Sequence, residues 1–506
     1  MKAKTSPWVG ARKIAQAVAF AAWILLWVKT AGYTWPAGWI QLPARLDPLL
    51  ALAVMIASRA VIAALLLSLL VVGLTLIFGR AWCGWLCPVG TLLDWIPLRR
   101  RKGAQKALPE NRRKGKYILL TVILIAALFG NLSLLLLDPI TLWIRTLSGG
   151  VAPALNTAFT AAEKFLAQFG FLGKALQWLD QVVRPALLPL EAVGTRLVWL
   201  PVLIFSAVVL LNLLAERFWC RYLCPLGGLL GWLSRFALVK RQVSGDCTHC
   251  GACARACPTG TIDPARGFQS DPAECTMCMN CLGSCAARQT RFSPALPKPV
   301  RMAYDPGRRD FMISGAVTLA GLAVVESGAA LHHAPTNLLR PPGVDLEKFL
   351  QECLRCGLCT RTCPTGALHP AITEAGLSGF FTPVLVPRLG YCQYSCNLCG
   401  QACPSGAIPA FTLEEKRQQV IGHAFIDENR CIPWADSTTC IVCEEMCPLP
   451  DKAIILEDKE ILRPDGSSGI LKLPHVLRER CIGCGICEYR CPQTGEAAIR
   501  VHRIEA

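Results

Sequence analysis

The sequence predicts a multi-domain membrane protein: an α-helical transmembrane domain of four spans plus a fifth anchor, with small cysteine-built α+β domains on both sides of the bilayer. Three observations predict it. All 28 cysteines of the 506 residues fall into repeating blocks. The apolar mass, which gives 53% hydrophobic residues and a mean hydropathy of +0.40, lies in the first half, before the long run of blocks begins at Cys247. The basic residues behind the net charge of +17 crowd beside apolar stretches. Orientation in a bilayer explains them there, and a nucleic-acid partner is not expected.

Four apolar stretches, at about 14–30, 60–78, 117–137 and 198–214, precede Cys247. Each is close to the roughly 20 residues that cross a bilayer as a helix. The stretch 48–58 is apolar but short and is followed by Arg59, which reads as an interfacial or re-entrant piece. The loop 98–116 sets nine lysines and arginines against Glu110, whereas 138–197 is nearly balanced. The positive-inside rule then places the N-terminus, the basic loop and the segment from Cys220 up to a fifth candidate span in the cytoplasm. A fifth candidate, about 313–331, follows Gly307-Arg308-Arg309-Asp310-Phe311-Met312. It reads as a twin-arginine export signal, or as a signal-anchor with two positive-inside arginines. Either reading puts the last 170 or so residues outside, and Ser327-Gly328-Ala329 offers a cleavage site. The expected domains are 1–240 (membrane), 241–300 (cytoplasmic), 301–345 (anchor and linker) and 346–506 (periplasmic). The expected location is a bacterial inner membrane, crossed several times.

Cys247, Cys250, Cys253 and Cys257 give C-x2-C-x2-C-x3-C-P. Cys275, Cys278, Cys281 and Cys285 repeat the spacing, as do Cys353, Cys356, Cys359 and Cys363, and Cys481, Cys484, Cys487 and Cys491. Cys392, Cys396, Cys399 and Cys403 open with an extra residue, and Cys431 stands a longer loop ahead of Cys440, Cys443 and Cys447. This is the bacterial-ferredoxin run, in which three thiolates hold one 4Fe–4S cluster and the fourth crosses to a neighbour. Zinc prefers two knuckles separated by a loop, and a disulfide framework gives no reason for one spacing to recur six times. Six 4Fe–4S clusters are expected, held by these 24 cysteines: two cytoplasmic, four outside. In the first pair, Cys285 joins Cys247, Cys250 and Cys253, while Cys257 joins Cys275, Cys278 and Cys281. In the outer domain the Cys353 block pairs either with its neighbour at Cys392 or with the distant block at Cys481, and the sequence does not choose. Glycines 251, 357 and 485 suit a backbone turning tightly around a cluster. Clusters are inserted before export, so the twin-arginine reading has the outer domain cross the membrane folded.

The remaining four cysteines lie in a duplicated element. Arg80-Ala81-Trp82-Cys83-Gly84-Trp85-Leu86-Cys87-Pro88 recurs as Arg217-Phe218-Trp219-Cys220-Arg221-Tyr222-Leu223-Cys224-Pro225, each after an apolar stretch. The membrane domain therefore reads as a parallel repeat about an axis along the membrane normal. Cys83, Cys87, Cys220 and Cys224 form either a redox or metal site near one interface, with Arg80, Trp82, Arg217 and Tyr222 around a quinol headgroup, or a structural elbow of packed thiols. No C-x-x-C-H occurs, and no histidine lies in the first four spans, so neither covalent haem nor bis-histidine haem is expected. His249 sits between two ligands and is placed to adjust a cluster. His332 and His333 suit a solvated interface. Asp138 and Glu216 are carboxylates at membrane depth, read as proton relays or as solvated helix ends.

With these motifs in order, residues 1 to about 295 resemble the NapH/MauN family of membrane quinol dehydrogenases. Residues from about 308 to the end resemble the NapG/MauM family of exported polyferredoxins, including Cys431-Ile432-Pro433-Trp434 before Cys440. Those halves are usually separate subunits, so the chain looks like a fusion. The resemblance implies oxidation of menaquinol or ubiquinol from the membrane pool. Electrons would pass to a periplasmic c-type cytochrome or a terminal reductase such as nitrate reductase, with further membrane subunits as possible partners. A second expectation, from relatives of the same membrane core, is maturation or reactivation of a metalloenzyme, with copper on the four C-x3-C-P thiols.

Overall fold

In the computed structural model, residues 6–30, 35–96, 110–169, 173, 177–178, 181, 199–294, 308–326, 338–462 and 468–503 are described. Most of the basic loop 98–116, the Ser327-Gly328-Ala329 site, His332 and His333 lie outside them. The chain divides into two compact units. One comprises Met1–Trp27, Gln41–Thr146 and Trp199–Ala329, the other Val28–Ile40, Leu147–Val198 and Ala330–Ala506.

The first unit carries a longer duplication than its cysteines announce. In each half a helix (Pro7–Thr30; Gly115–Leu128) leads to a Leu-Asp-Pro turn and a short buried helix (Pro48–Ser58; Pro139–Arg145). An apolar helix follows (Leu69–Phe78; Trp199–Leu210), then a one-turn helix (Ala81–Trp85; Phe218–Tyr222) and a last helix opened by the Cys-Pro pair (Pro88–Trp95; Pro225–Leu233). Asp47 caps the first short helix by accepting from the Leu49 and Leu50 amides, and Asp138 caps the second through Ile140 and Thr141. Proline follows each aspartate at the first helical position, where its missing N–H costs nothing. Asp138 thus serves as a helix cap, buried rather than solvated.

Of the expected spans, one forms a helix long and apolar enough to cross a membrane, Pro7–Thr30. The pair Ala37–Arg45 and Pro48–Ser58, bent by 90°, passes the same test only together, which agrees with a re-entrant reading of 48–58. Ala63–Phe78, Trp199–Leu213 and Met312–Gly321 are shorter apolar helices. The stretch 117–137 is not one helix. Gly130, at φ 76°, closes a Schellman motif in which the Asn131 amide donates to Ala126 and the Gly130 amide to Ala127. The 14 residues of Gly115–Leu128 reach only about 21 Å at 1.5 Å per residue. Four continuous spans are therefore not what the described residues form.

The expected fifth anchor is the Arg308–Glu326 helix, which packs on Gly115–Leu128 with Ser314 and Thr318 buried and Gly315 facing Ile125. The α+β domain of this unit pairs Val239–Val243 with Thr290–Pro294, register Val239 to Pro294, and adds a two-residue ladder, Ile262–Asp263 with Gln269–Ser270.

The second unit holds the 15-residue helix Ala152–Leu166, and its residues from 338 on form two-stranded ladders and helices of one or two turns. Leu368–Pro370 pairs with Pro383–Leu385, His423–Ile426 with Ile499–His502, and Ile454–Leu462 forms a long hairpin with Ser468–Val476. Its core mixes aliphatic residues with cysteine: Phe349, Leu368, Ile408, Ile454 and Ile499 pack among Cys353, Cys359, Cys481 and Cys487.

Candidate functional site

In the cysteine blocks with the regular spacing, the residue before the second cysteine is left-handed: His249 (φ 53°), Met277 (53°), Arg355 (53°) and Gly483 (69°). So is the residue after it: Gly251 (70°), Met279 (61°), Gly357 (78°) and Gly485 (79°). Two left-handed residues around one cysteine turn successive amides inward and make a concavity suited to an anion. Each block then closes on a one-turn helix that carries its third cysteine. His249, expected to adjust a cluster, stacks edge-on against Phe268 at 5.4 Å.

The thiols line cavities in fours. Cys353, Cys356, Cys359 and Cys403 face one. Cys447, Cys481, Cys484 and Cys487 face a second, and Cys431, Cys440, Cys443 and Cys491 a third. In the first unit Cys257, Cys275, Cys278 and Cys281 face another. Cys399 lies beside Cys392, Cys363 and Cys396, and Cys253 lies beside Cys247. Cys250 is exposed. In the second unit the 353 block thus exchanges its fourth thiol with the 392 block, and the 431 block with the 481 block. The choice left open by the sequence falls to neighbours, and the nested pairing is absent.

Among the described residues no three His, Cys, Asp or Glu side chains converge on a single-ion position. The thiols instead surround a void, as a cubane requires, so the donor set and its spacing fit 4Fe–4S clusters. Burial pushes Cys443 and Cys484 up to about 12 and Cys392 up to about 11, so without iron these thiols keep their protons. Backbone amides donate to two of the sulfurs, Ile408 to Cys403 at 3.4 Å and Ala424 to Cys481 at 3.3 Å. Such bonds tune a cluster's potential.

The duplicated element brings Cys83, Cys87, Cys220 and Cys224 together, all buried. The arginines cross over: Arg80 Nη2 donates to the Cys220 carbonyl at 3.2 Å, and Arg217 Nη1 to the Cys83 carbonyl at 3.3 Å. Each arginine also meets a carboxylate. Arg217 holds Asp94 through Nε and Nη2, both at 2.6 Å, while Arg12 and Gln16 reach the same side chain at 2.8 Å. Arg80 donates to the Ala273 carbonyl at 3.0 Å and stands 3.5 Å from Glu274. Both guanidinium groups are thereby committed to holding the repeats. Trp82, Trp219 and Tyr222 are buried with their indole N–H and hydroxyl groups unpartnered. The Cys224 sulfur accepts from the Gly227 amide at 3.2 Å.

The second thiol loop of the α+β domain docks on this element. The Trp85 indole donates to the Met277 carbonyl at 2.9 Å, Ser234 to the Pro272 carbonyl at 2.9 Å, and Lys116 Nζ lies 2.5 Å from Glu274. Burial alone would push the Glu274 carboxyl up. Lys116, Arg80 and Arg113 outweigh it and hold it below the usual carboxylate range, so Glu274 is ionised. Two breaks in the repeat make room. Gly84 stands where the second copy has Arg221, and a Cβ there would run into the Thr276 carbonyl. Gly231 stands where the first copy has Asp94, and a Cβ there would lie 2.9 Å from the Ala273 carbonyl. Sequence reasoning singled out neither Asp94 nor Glu274. Writing the two copies under one another past the Cys-Pro pair exposes the Asp94/Gly231 mismatch, whereas Glu274 carries no such signal.

Comparison with known proteins places these features. A family model described as a 4Fe-4S binding domain matches residues 60–104 and again 197–244, the two copies of the repeat. A model described as a 4Fe-4S dicluster domain matches 232–294. The methylamine utilization ferredoxin-type protein MauM of Methylorubrum extorquens is 34% identical over 206 residues, 39% of this chain and 89% of that protein. The ferredoxin-type protein NapG of Haemophilus influenzae is 33% identical over 218 residues, 40% of this chain and 74% of that protein. YccM of Escherichia coli, named for electron transport, is 29% identical over 276 residues, 52% of this chain and 63% of that protein. No solved structure matches.

Proposed function

The chain belongs to the NapG/MauM-type family of ferredoxin-type proteins, and from that premise we propose that it oxidises quinol at a membrane and delivers the electrons to a periplasmic acceptor. Its coarser character is established: it is an iron–sulfur electron-transfer protein that binds 4Fe–4S clusters. The finer reading holds that six such clusters are bound by the 24 cysteines, in the fours grouped above, with Cys285 and Cys250 completing the set of Cys247 and Cys253. When bound, they supply one-electron carriers. The first half acts in the manner of a NapH/MauN-type subunit, fused to the exported half and anchored in a bacterial inner membrane.

One observation carries the reading. The buried pair of C-x3-C-P elements lies directly under the loop of Cys275 and Cys278, held by Trp85, Arg80, Lys116 and Ser234. A donor at the four thiols is thereby set against the first carrier. Trp82, Trp219 and Tyr222 supply unpartnered donors for its oxygens, and Arg80 and Arg217 position the two copies. The copper expectation gains no comparable support, because no single-ion position exists among the described residues. The acceptor we favour is a c-type cytochrome or a terminal reductase, with the quinol pool as the donor.

Anaerobic EPR of the purified protein before and after a menaquinol analogue tests this. Reduced-cluster signals are expected with quinol, and their loss in the Cys87→Ala/Cys224→Ala double variant would tie donor oxidation to the thiols. Clusters that reduce with dithionite but never with quinol would exclude the reading.

A further inference from the structure

Around the docked loop, buried charge does not balance. Arg80 is 1% exposed, Lys116 0%, Arg113 4% and Arg221 6%, and the buried carboxylate they meet is Glu274 at 3%. Arg80 and Lys116 are within ion-pair reach of Glu274. Arg113 and Arg221 turn instead to the turn after Cys257. Arg113 Nη2 donates to the Gly260 carbonyl at 2.7 Å and stands 3.5 Å from the Thr259 carbonyl. A Cβ on Gly260 would lie 2.8 Å from Arg221 Nη2 and 3.9 Å from Arg113 Nη2. Thr259 in turn lies 3.5 Å from the Cys257 sulfur. Arg221 leaves Nε and Nη2 without a partner, and Arg113 leaves Nε so.

Unpaired charge is costly to bury. Four cations facing one carboxylate therefore need further negative charge close by. A 4Fe–4S core with four thiolates is a net anion, and the cavity of Cys257, Cys275, Cys278 and Cys281 is where it would sit. Nearby positive charge favours the extra electron of the reduced state, because cluster potential follows net charge, hydrogen bonding and exposure. In the neighbouring set Cys250 lies at the surface, and the buried Arg241 stands beside Cys253 and Cys281 alike.

We propose that Arg113 and Arg221 are positioning residues that raise the reduction potential of the centre held by Cys257, Cys275, Cys278 and Cys281, making it the electron entry point of this unit. The proposal rests on the cluster assignment above, but not on quinol being the donor. Arg221 is the residue that replaces Gly84 in the second copy, so the duplication itself supplied the asymmetry: a glycine where the loop must touch, an arginine where its charge must be met.

The test is an anaerobic redox titration of the full chain followed by EPR, with iron content measured alongside. Arg221→Gln should lower one midpoint potential and leave the others in place, Arg113→Gln should lower the same one, and Arg221→Lys should restore most of the shift. Unmoved midpoints in both glutamine variants at full iron content would overturn the proposal. If a glutamine variant loses iron, the lysine variant at that position decides. Iron retained with lysine shows that the charge is required, whereas iron lost with lysine as well assigns a packing role and overturns it. A wild-type protein lacking the expected iron would instead refute the cluster assignment.

Discussion

Arg217 is fully buried, and Asp94 is what makes that tolerable: a two-pronged carboxylate contact neutralises the charge, and Arg12 and Gln16 fix the carboxylate. Removing one partner of such a pair costs more than the pair contributes, because the other charge stays buried. Asp94→Asn keeps the shape and loses the charge. It should destabilise the first unit by about 3 kcal/mol or more, visible as a lower midpoint in thermal denaturation of the purified protein. At this scale the sequence was partly legible. The left-handed glycines 251, 357 and 485 follow from the block spacing, because a chain that wraps a compact anion must turn that way. Met277, Met279 and Arg355 adopt the same conformation with no glycine to announce it. Arg80 and Arg217 were legible as a repeated feature, but not their partners, since Glu274 lies 194 residues from Arg80.

The apolar helices show where pattern reading stops. Hydropathy alone runs 117–137 together, yet Gly130 and Asn131 satisfy the last carbonyls of Gly115–Leu128 so well that the helix ends there. Apolar composition says that a segment avoids water. It does not say that the segment is straight. The Leu-Asp-Pro turns at 46–48 and 137–139 are identical in sequence and were not read as part of the repeat, although they cap equivalent helices. At Gly84 and Gly231 the repeat and the thiol loop approach backbone to backbone, which side-chain chemistry does not reveal. Gly84→Val should push the loop around Thr276 away without removing any cysteine. The expected result is unchanged iron content and donor-driven cluster reduction slowed by up to about a hundredfold, as for other displaced reacting groups. Stopped-flow absorbance with an iron assay checks both.

Across the whole molecule, the cysteines are the fold as well as the site. Two-stranded ladders are marginal by themselves, and the second unit offers nothing larger among its described residues. Its core counts four buried cysteines, with Cys363, Cys392, Cys399, Cys403, Cys443, Cys447 and Cys491 packed against it. Where a metal group fills the core, binding energy is folding energy. Stripping iron with a chelator under oxidising conditions should therefore open residues 346–506 to protease, with cuts mapped by mass spectrometry. The pairing of blocks also has a spectroscopic signature. Cys403→Ser should erase the same EPR signal as Cys359→Ser, and a different one from that lost in Cys399→Ser.

That pairing of neighbours bears on how the chain is made. All eight thiols from Cys353 to Cys403 leave the ribosome before Cys431 does, and the eight from Cys431 to Cys491 follow as a second batch. Neither batch needs a thiol from the other to line its cavities. Loading can start on a half-synthesised domain and finish as two successive closures, each over a loop of about 50 or 60 residues. A nested pairing would have kept the first cysteines waiting, reduced and unprotected, until the last block appeared.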